Sequence, residues 1–146
     1  MRKIILITAV LLAIALGYYY VRHPLGEKAL INGHTVRLEL AVTDTEREKG
    51  LGDRDSLAAD SGMLFVYQNK DRYGFWMKGM RFPLDFVWID GNRIVDLSEN
   101  IPAPATPGDR PYELSPHAPV DKVLEVNAGV IQKLGIRIGN TIVFTN

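Results

Sequence analysis

The chain has 146 residues, with 17 Lys and Arg against 17 Asp and Glu, three His and no Cys. That length supports one domain of ordinary size, and the missing cysteines exclude a disulfide framework, a thiolate nucleophile and Cys-ligated zinc or iron–sulfur centres. Met1 to Arg22 hold three bases and no acid, so residues 23–146 carry 14 bases and 17 acids, net −3, without the basic run that nucleic-acid binding requires.

Ile4 to Val21 (IILITAVLLAIALGYYYV) is uncharged throughout. As a helix rising ~1.5 Å per residue it reaches ~27 Å, close to the ~30 Å hydrocarbon thickness of a bilayer. Tyr18, Tyr19 and Tyr20 then fall at the far interface. Arg2 and Lys3 favour an inside start, which puts the chain after Arg22 on the exocytoplasmic side. Residues 1–22 therefore read as a signal anchor that attaches the protein to a membrane through residues 4–21. A cleaved signal peptide is the rival: Ala13-Ile14-Ala15 has the small-x-small form, but no polar spacer precedes it. Either way the domain is expected outside the cytoplasm, periplasmic or extracellular, and secreted if cleavage occurs.

His23 to Glu27 read as a linker, and residues 28–146 as a single β-rich globular domain. Lys28–Ile31 and His34–Ala41 flank Asn32-Gly33, whose positive φ suits a type I′ hairpin turn. Thr43-Asp44-Thr45-Glu46 predicts a capping box opening a short helix, with Gly50 to close it. A charged loop from Gly52 to Ser61 leads to strands at Met63–Tyr67 and Tyr73–Lys78. Leu84–Ile89 and Arg93–Leu97 form a second hairpin across Asp90-Gly91-Asn92.

Ser98 to Val120 holds six of the eight prolines and predicts a long, functional or mobile loop. A strand over Asp121–Asn127, a short helix near Gly129–Leu134 and a strand over Thr141–Thr145 complete the chain. The pattern predicts a β-dominated α+β fold, a small barrel- or sandwich-like domain with two short helices.

No hydrolase elbow, zinc-protease helix, P-loop or dinucleotide fingerprint is present, and the three histidines are dispersed at 23, 34 and 117. No metal or cofactor is expected. The charges set within apolar strands are more informative. In PLDFVWID, Asp85 shares a face with Val87 and Ile89, while Leu84, Phe86 and Trp88 take the other. A carboxylate on a buried row must find donors or a cation, or its pKa rises. Asp85 is thus either an acid, base or ligand contact at a pocket mouth, or a turn cap, or the partner of Lys78, Arg81 or Arg54. Glu125 shares its row with Val123 and Asn127, and that row can be half wet. If the two carboxylates converged, they would suit acid/base hydrolysis. Trp76-Met77-Lys78-Gly79-Met80, with Met63, Phe82 and Trp88, can line an apolar cleft beside a cation.

Several of these segments resemble one family. TDTEREKGLGDRDSLAADSGMLF (43–65), FWMKGMRFPLDFVWID (75–90), then VLEVNAG and a Gly-Ile-x-x-Gly-Asn ending, are similar to the motifs of domain of unknown function 192. The resemblance spans residues 34 to 144 and implies a compact, β-dominated single domain, often behind a signal or anchor. It carries over Gly50, Leu51, Arg54, Gly62, Met63, Trp76, Met77, Lys78, Leu84, Asp85, Glu125 and Gly129, and supplies no catalytic role. The sequence departs from the pattern at Gly52, where Met is usual, and at Gly79-Met80, where Asn-Thr is usual.

The expectation is an anchored exocytoplasmic module binding an unknown small molecule or envelope protein near Trp76–Asp85. Arg54, Met63, Trp76, Met77, Lys78, Asp85 and Glu125 are the expected ligand contacts. An envelope or extracellular hydrolase using Asp85 and Glu125, and an envelope scaffold or assembly factor, are the alternatives.

Overall fold

A computed structural model describes residues 28–106 and 108–145. The expected anchor and linker lie outside the described residues. Within them, no helix is long and apolar enough to cross a membrane.

The first hairpin forms as its turn chemistry dictates: β1 (Lys28–Ile31) and β2 (His34–Ala41) pair antiparallel, with Asn32 and Gly33 both at positive φ. Thr43 caps α1 (Asp44–Lys49): its hydroxyl accepts the Glu46 N–H, and the Glu46 carboxylate accepts the Thr43 N–H at 2.8 Å. This helix buries none of its residues, so its end groups rather than packing hold it. It carries the chain over to β3 (Ser61–Asp71), which lies parallel to β2.

β4 (Phe75–Trp76), β5 (Leu84–Asp90), β6 (Arg93–Ile101), β7 (Glu113–Leu114), β8 (Val120–Asn127), α2 (Val130–Lys133) and β9 (Ile142–Thr145) follow. Seven strands form one sheet in the order β6-β5-β8-β3-β2-β1-β9. Its two edges meet at one end, where Ile142 donates to Asn92 at 2.9 Å and Ile94 donates to Asn140 at 3.0 Å. The sheet is therefore a curled half-barrel, not a sandwich.

Two apolar masses follow from strand alternation. Ala29, Val36, Leu64, Val87, Ile94, Leu124 and Ile142 come from seven different strands and fill the inside of the curl. Met63, Phe65, Phe86, Trp88 and Val123 project from the other face and are covered by residues 51–57, 77–80 and 101. The central strands β3, β5 and β8 are thus buried on both sides, which explains their nearly unbroken apolar runs.

Two segments differ from the sequence expectation. β3 runs through Asp71, and the predicted strand at Tyr73–Lys78 shrinks to Phe75–Trp76, which leaves the main sheet to pair with β7. The expected loop from Ser98 is shorter, because β6 continues to Ile101 through a bulge at Asn100, held at φ 54. The β4–β7 ribbon then pins its middle to the outer layer.

Candidate functional site

The two carboxylates of interest occupy neighbouring strands, but the register sends them to opposite faces. Asp85 stands across from Val126, and Glu125 across from Phe86. Asp85 therefore faces the inside of the curl and Glu125 the outer layer, so they do not converge.

Asp85 is fully buried. One carboxylate oxygen accepts the Asn100 N–H at 2.8 Å, and the other accepts the Ile131 N–H at 2.9 Å. The left-handed backbone of Asn100 makes the first bond possible, and the second satisfies an orphan donor in the first turn of α2. None of the three proposed cationic partners reaches it. Arg54 grips Glu39 with both nitrogens at 2.8 Å, holding that carboxyl below its ordinary range. Arg81 pairs with Asp55. The Lys78 ammonium lies 5.6 Å from the Trp76 ring centroid. Asp85 ties β5, β6 and α2 together on the face opposite Glu125.

Glu125 is a different case. Its side chain is 5% exposed, and no group among the described residues hydrogen-bonds or ion-pairs its carboxyl. Burial alone pushes its pKa up to about 8, so it is mainly a neutral acid at pH 7. It sits in a cleft of about 410 Å³, whose walls include Phe65, Tyr67, Phe75, Trp76 and Met80. α1 contributes Asp44, Arg47, Glu48 and Lys49 to the lining, and Lys78 lines it too.

The aromatic wall is braced. Phe75 meets Phe65, Phe86 and Trp88 edge-on, with centroids 5.0, 5.8 and 5.4 Å away. Tyr67 stacks on Tyr73 at 3.5 Å, and Arg47 lies 4.9 Å from its ring centroid. Burial raises the Tyr67 phenol to about 12. Arg47 is fully engaged: it donates to the carbonyls of Val42 at 2.6 Å and Val66 at 2.8 Å, and pairs with Asp44.

Of the seven expected contacts, Trp76, Lys78 and Glu125 line this cleft. Met77 and Met63 are buried in the outer apolar layer, beneath the wall rather than on it. Arg54 is committed to Glu39, and Asp85 lies on the far face. Phe82 and Trp88 are also packing residues, the indole N–H of Trp88 donating to Ser98 at 3.0 Å. Phe65 and Tyr67 were missed. Their signal was alternation along β3, which puts Met63, Phe65 and Tyr67 on the row facing Glu125. Gly52 and Met80, where the sequence departs from the family pattern, both line the cleft. Among the described residues, no group of three or more His, Asp or Glu side chains is arranged for a metal ion.

A family model described as DUF192, Uncharacterized ACR, matches residues 27–144. The fold is similar to the crystal structure of a protein of unknown function from Novosphingobium aromaticivorans DSM 12444, with a TM-score of 0.69 and 32% identity over 80% of this chain and 83% of that one. It is equally similar to a protein described as a "putative transcription regulator" from Sinorhizobium meliloti 1021, with a TM-score of 0.69 and 32% identity over 80% of this chain and 90% of that one. No curated protein matches the chain.

Proposed function

The chain belongs to the DUF192 family, and from that footing we propose that it is a ligand-binding module whose site is the cleft floored by Glu125. One observation carries this reading: a buried carboxyl, without a partner among the described residues, opens into a space walled by aromatic rings. Such a group costs stability unless something completes its bonding, so its retention beside a concave apolar surface favours a bound molecule. In this reading residues 4–21 hold the domain at a membrane on its exocytoplasmic side, within reach of envelope or extracellular molecules.

The hydrolase alternative loses its support. It needs two carboxyls acting on one substrate, and Asp85 is across the sheet from Glu125. A nucleic-acid-binding role gains nothing from residues 23–146, whose net charge is −3. A scaffold role keeps the exposed apolar side chains: Trp76 and Tyr112 on neighbouring segments, Ile138, and Leu30 opposite Val143 across β1 and β9.

Thermal melting of the full-length chain with millimolar benzylamine, benzyl alcohol and benzoate tests the proposal. At least one probe is expected to raise the Tm, by mass action worth ~1.4 kcal/mol at ten times its Kd. Trp76→Ala, at a half-exposed position on the wall, is expected to shrink that rise without changing the unliganded Tm by more than a few degrees. No rise with any of the three probes overturns the reading.

A further inference from the structure

Resting on that cleft as a binding site, we infer that its ligand carries an organic ammonium group, seated on the Glu125 carboxylate among the rings of Phe65, Tyr67, Phe75 and Trp76. The inference comes from what the floor of the cleft lacks. Glu125 enters from β8, and the groups facing it across β3, α1 and the β4 segment are all accounted for. The Tyr67 phenol is its titratable neighbour on β3. Arg47 is spent on two carbonyls and Asp44, while Glu48 and Lys49 belong to the exposed helix surface. Lys78 is held at the Trp76 ring on the exposed side. Among the described residues no cation is bonded to the carboxyl, although Arg47, Lys49 and Lys78 line the same cleft, so a ligand's ammonium would be the first group to pair with an ionised Glu125.

The walls agree with that charge. Aromatic rings attract cations through their quadrupoles, and a water-poor setting strengthens both this attraction and the carboxylate–ammonium pair. A carboxylate ligand would instead keep Glu125 protonated and be repelled by the negative faces of the rings. An alcohol would meet the neutral acid by hydrogen bonding alone, without the attraction of a cation to the rings.

Ammonium binding balances simply. The protonated Glu125 of the free protein loses its proton to solvent, and the resulting carboxylate accepts hydrogen bonds from the ligand's N–H groups. No covalent bond to carbon is made or broken. Because the free acid titrates at about 8, the proton released per ligand bound at pH 7 should approach one.

Titration calorimetry of the full-length protein reads this directly, with benzylamine as probe and benzyl alcohol and benzoate as similarly sized comparators. Benzylamine is expected to bind at least tenfold more tightly than either. Measured at pH 7 in two buffers of different ionisation enthalpy, it should release close to one proton, and its affinity should rise about tenfold from pH 6 to pH 7. Glu125→Gln mimics the neutral acid, so it should fold, still admit benzyl alcohol, and lose both the proton release and at least tenfold in benzylamine affinity. Benzyl alcohol or benzoate binding as tightly as benzylamine overturns the ammonium inference and leaves the cleft standing. Benzylamine binding without proton release overturns it too. Failure of all three probes removes the binding reading itself.

Discussion

The fully buried Asp85 carboxylate accepts two N–H groups, one from the buried Ile131 and one from Asn100, an exposed residue. Removing it leaves the buried Ile131 donor unsatisfied and unties Asn100, so Asp85→Ala should cost about 2–4 kcal/mol in denaturant unfolding. A loss under ~0.5 kcal/mol would mean that water reaches both donors. Glu125 runs the other way. Its folded pKa of about 8 lies above the ordinary 4.5, so between those values the native state holds a proton that the unfolded chain has released. The associated stability is fully present below pH 4.5 and disappears as pH rises through 8, a change on the order of 3–5 kcal/mol. Glu125→Gln should therefore remove most of the wild-type decline in Tm between pH 5 and pH 9, and parallel profiles for the two proteins would refute the buried neutral acid. The sequence located both acids within apolar strands and assigned each to its row. It could not tell that one row met backbone donors and the other a cleft, because those neighbours, from Asn100 for Asp85 to Asp44 for Glu125, are 15 to 81 residues distant along the chain.

Elements are where local chemistry and tertiary contact separate most clearly. The capping box of α1 was legible because its bonds run between residues three apart, and Thr43→Ala should cost ~1 kcal/mol by thermal melting. β3 depends on contact with β8 instead. A Cβ on Gly62 would lie 2.7 Å from the Glu125 carbonyl oxygen and 2.8 Å from the Leu124 side chain. Gly62→Ala should therefore destabilise by about 2 kcal/mol or more, since the two strands must part. A change under ~0.5 kcal/mol would show that they have room to shift. The segment after Tyr73 illustrates the limit of pattern reading. Its alternating large residues have the period of a strand, but only Phe75 and Trp76 form one, with Met77 donating to Tyr112 at 2.9 Å, and their partner, β7, lies inside the proline-rich stretch that reads as loop.

Across the whole molecule, the first and last strands lie side by side, Lys28 opposite Thr145 and Ile31 opposite Ile142. Closure of the half-barrel therefore waits on the final residues. Truncation after Asn140 should abolish cooperative melting by circular dichroism, because it bares the β1 edge and removes the buried Ile142 from the interior. Retained cooperativity would mean that the other six strands form a sufficient core. The sequence by itself determined the β-dominated class, the two hairpins, both short helices and the family, all of which rest on turn residues, alternation and near-neighbour bonds. Tertiary structure alone decided the strand order, the parallel β2–β3 pair and the cleft. It also parted Asp85 from Glu125, since a one-residue difference in strand register reverses the face on which a side chain stands.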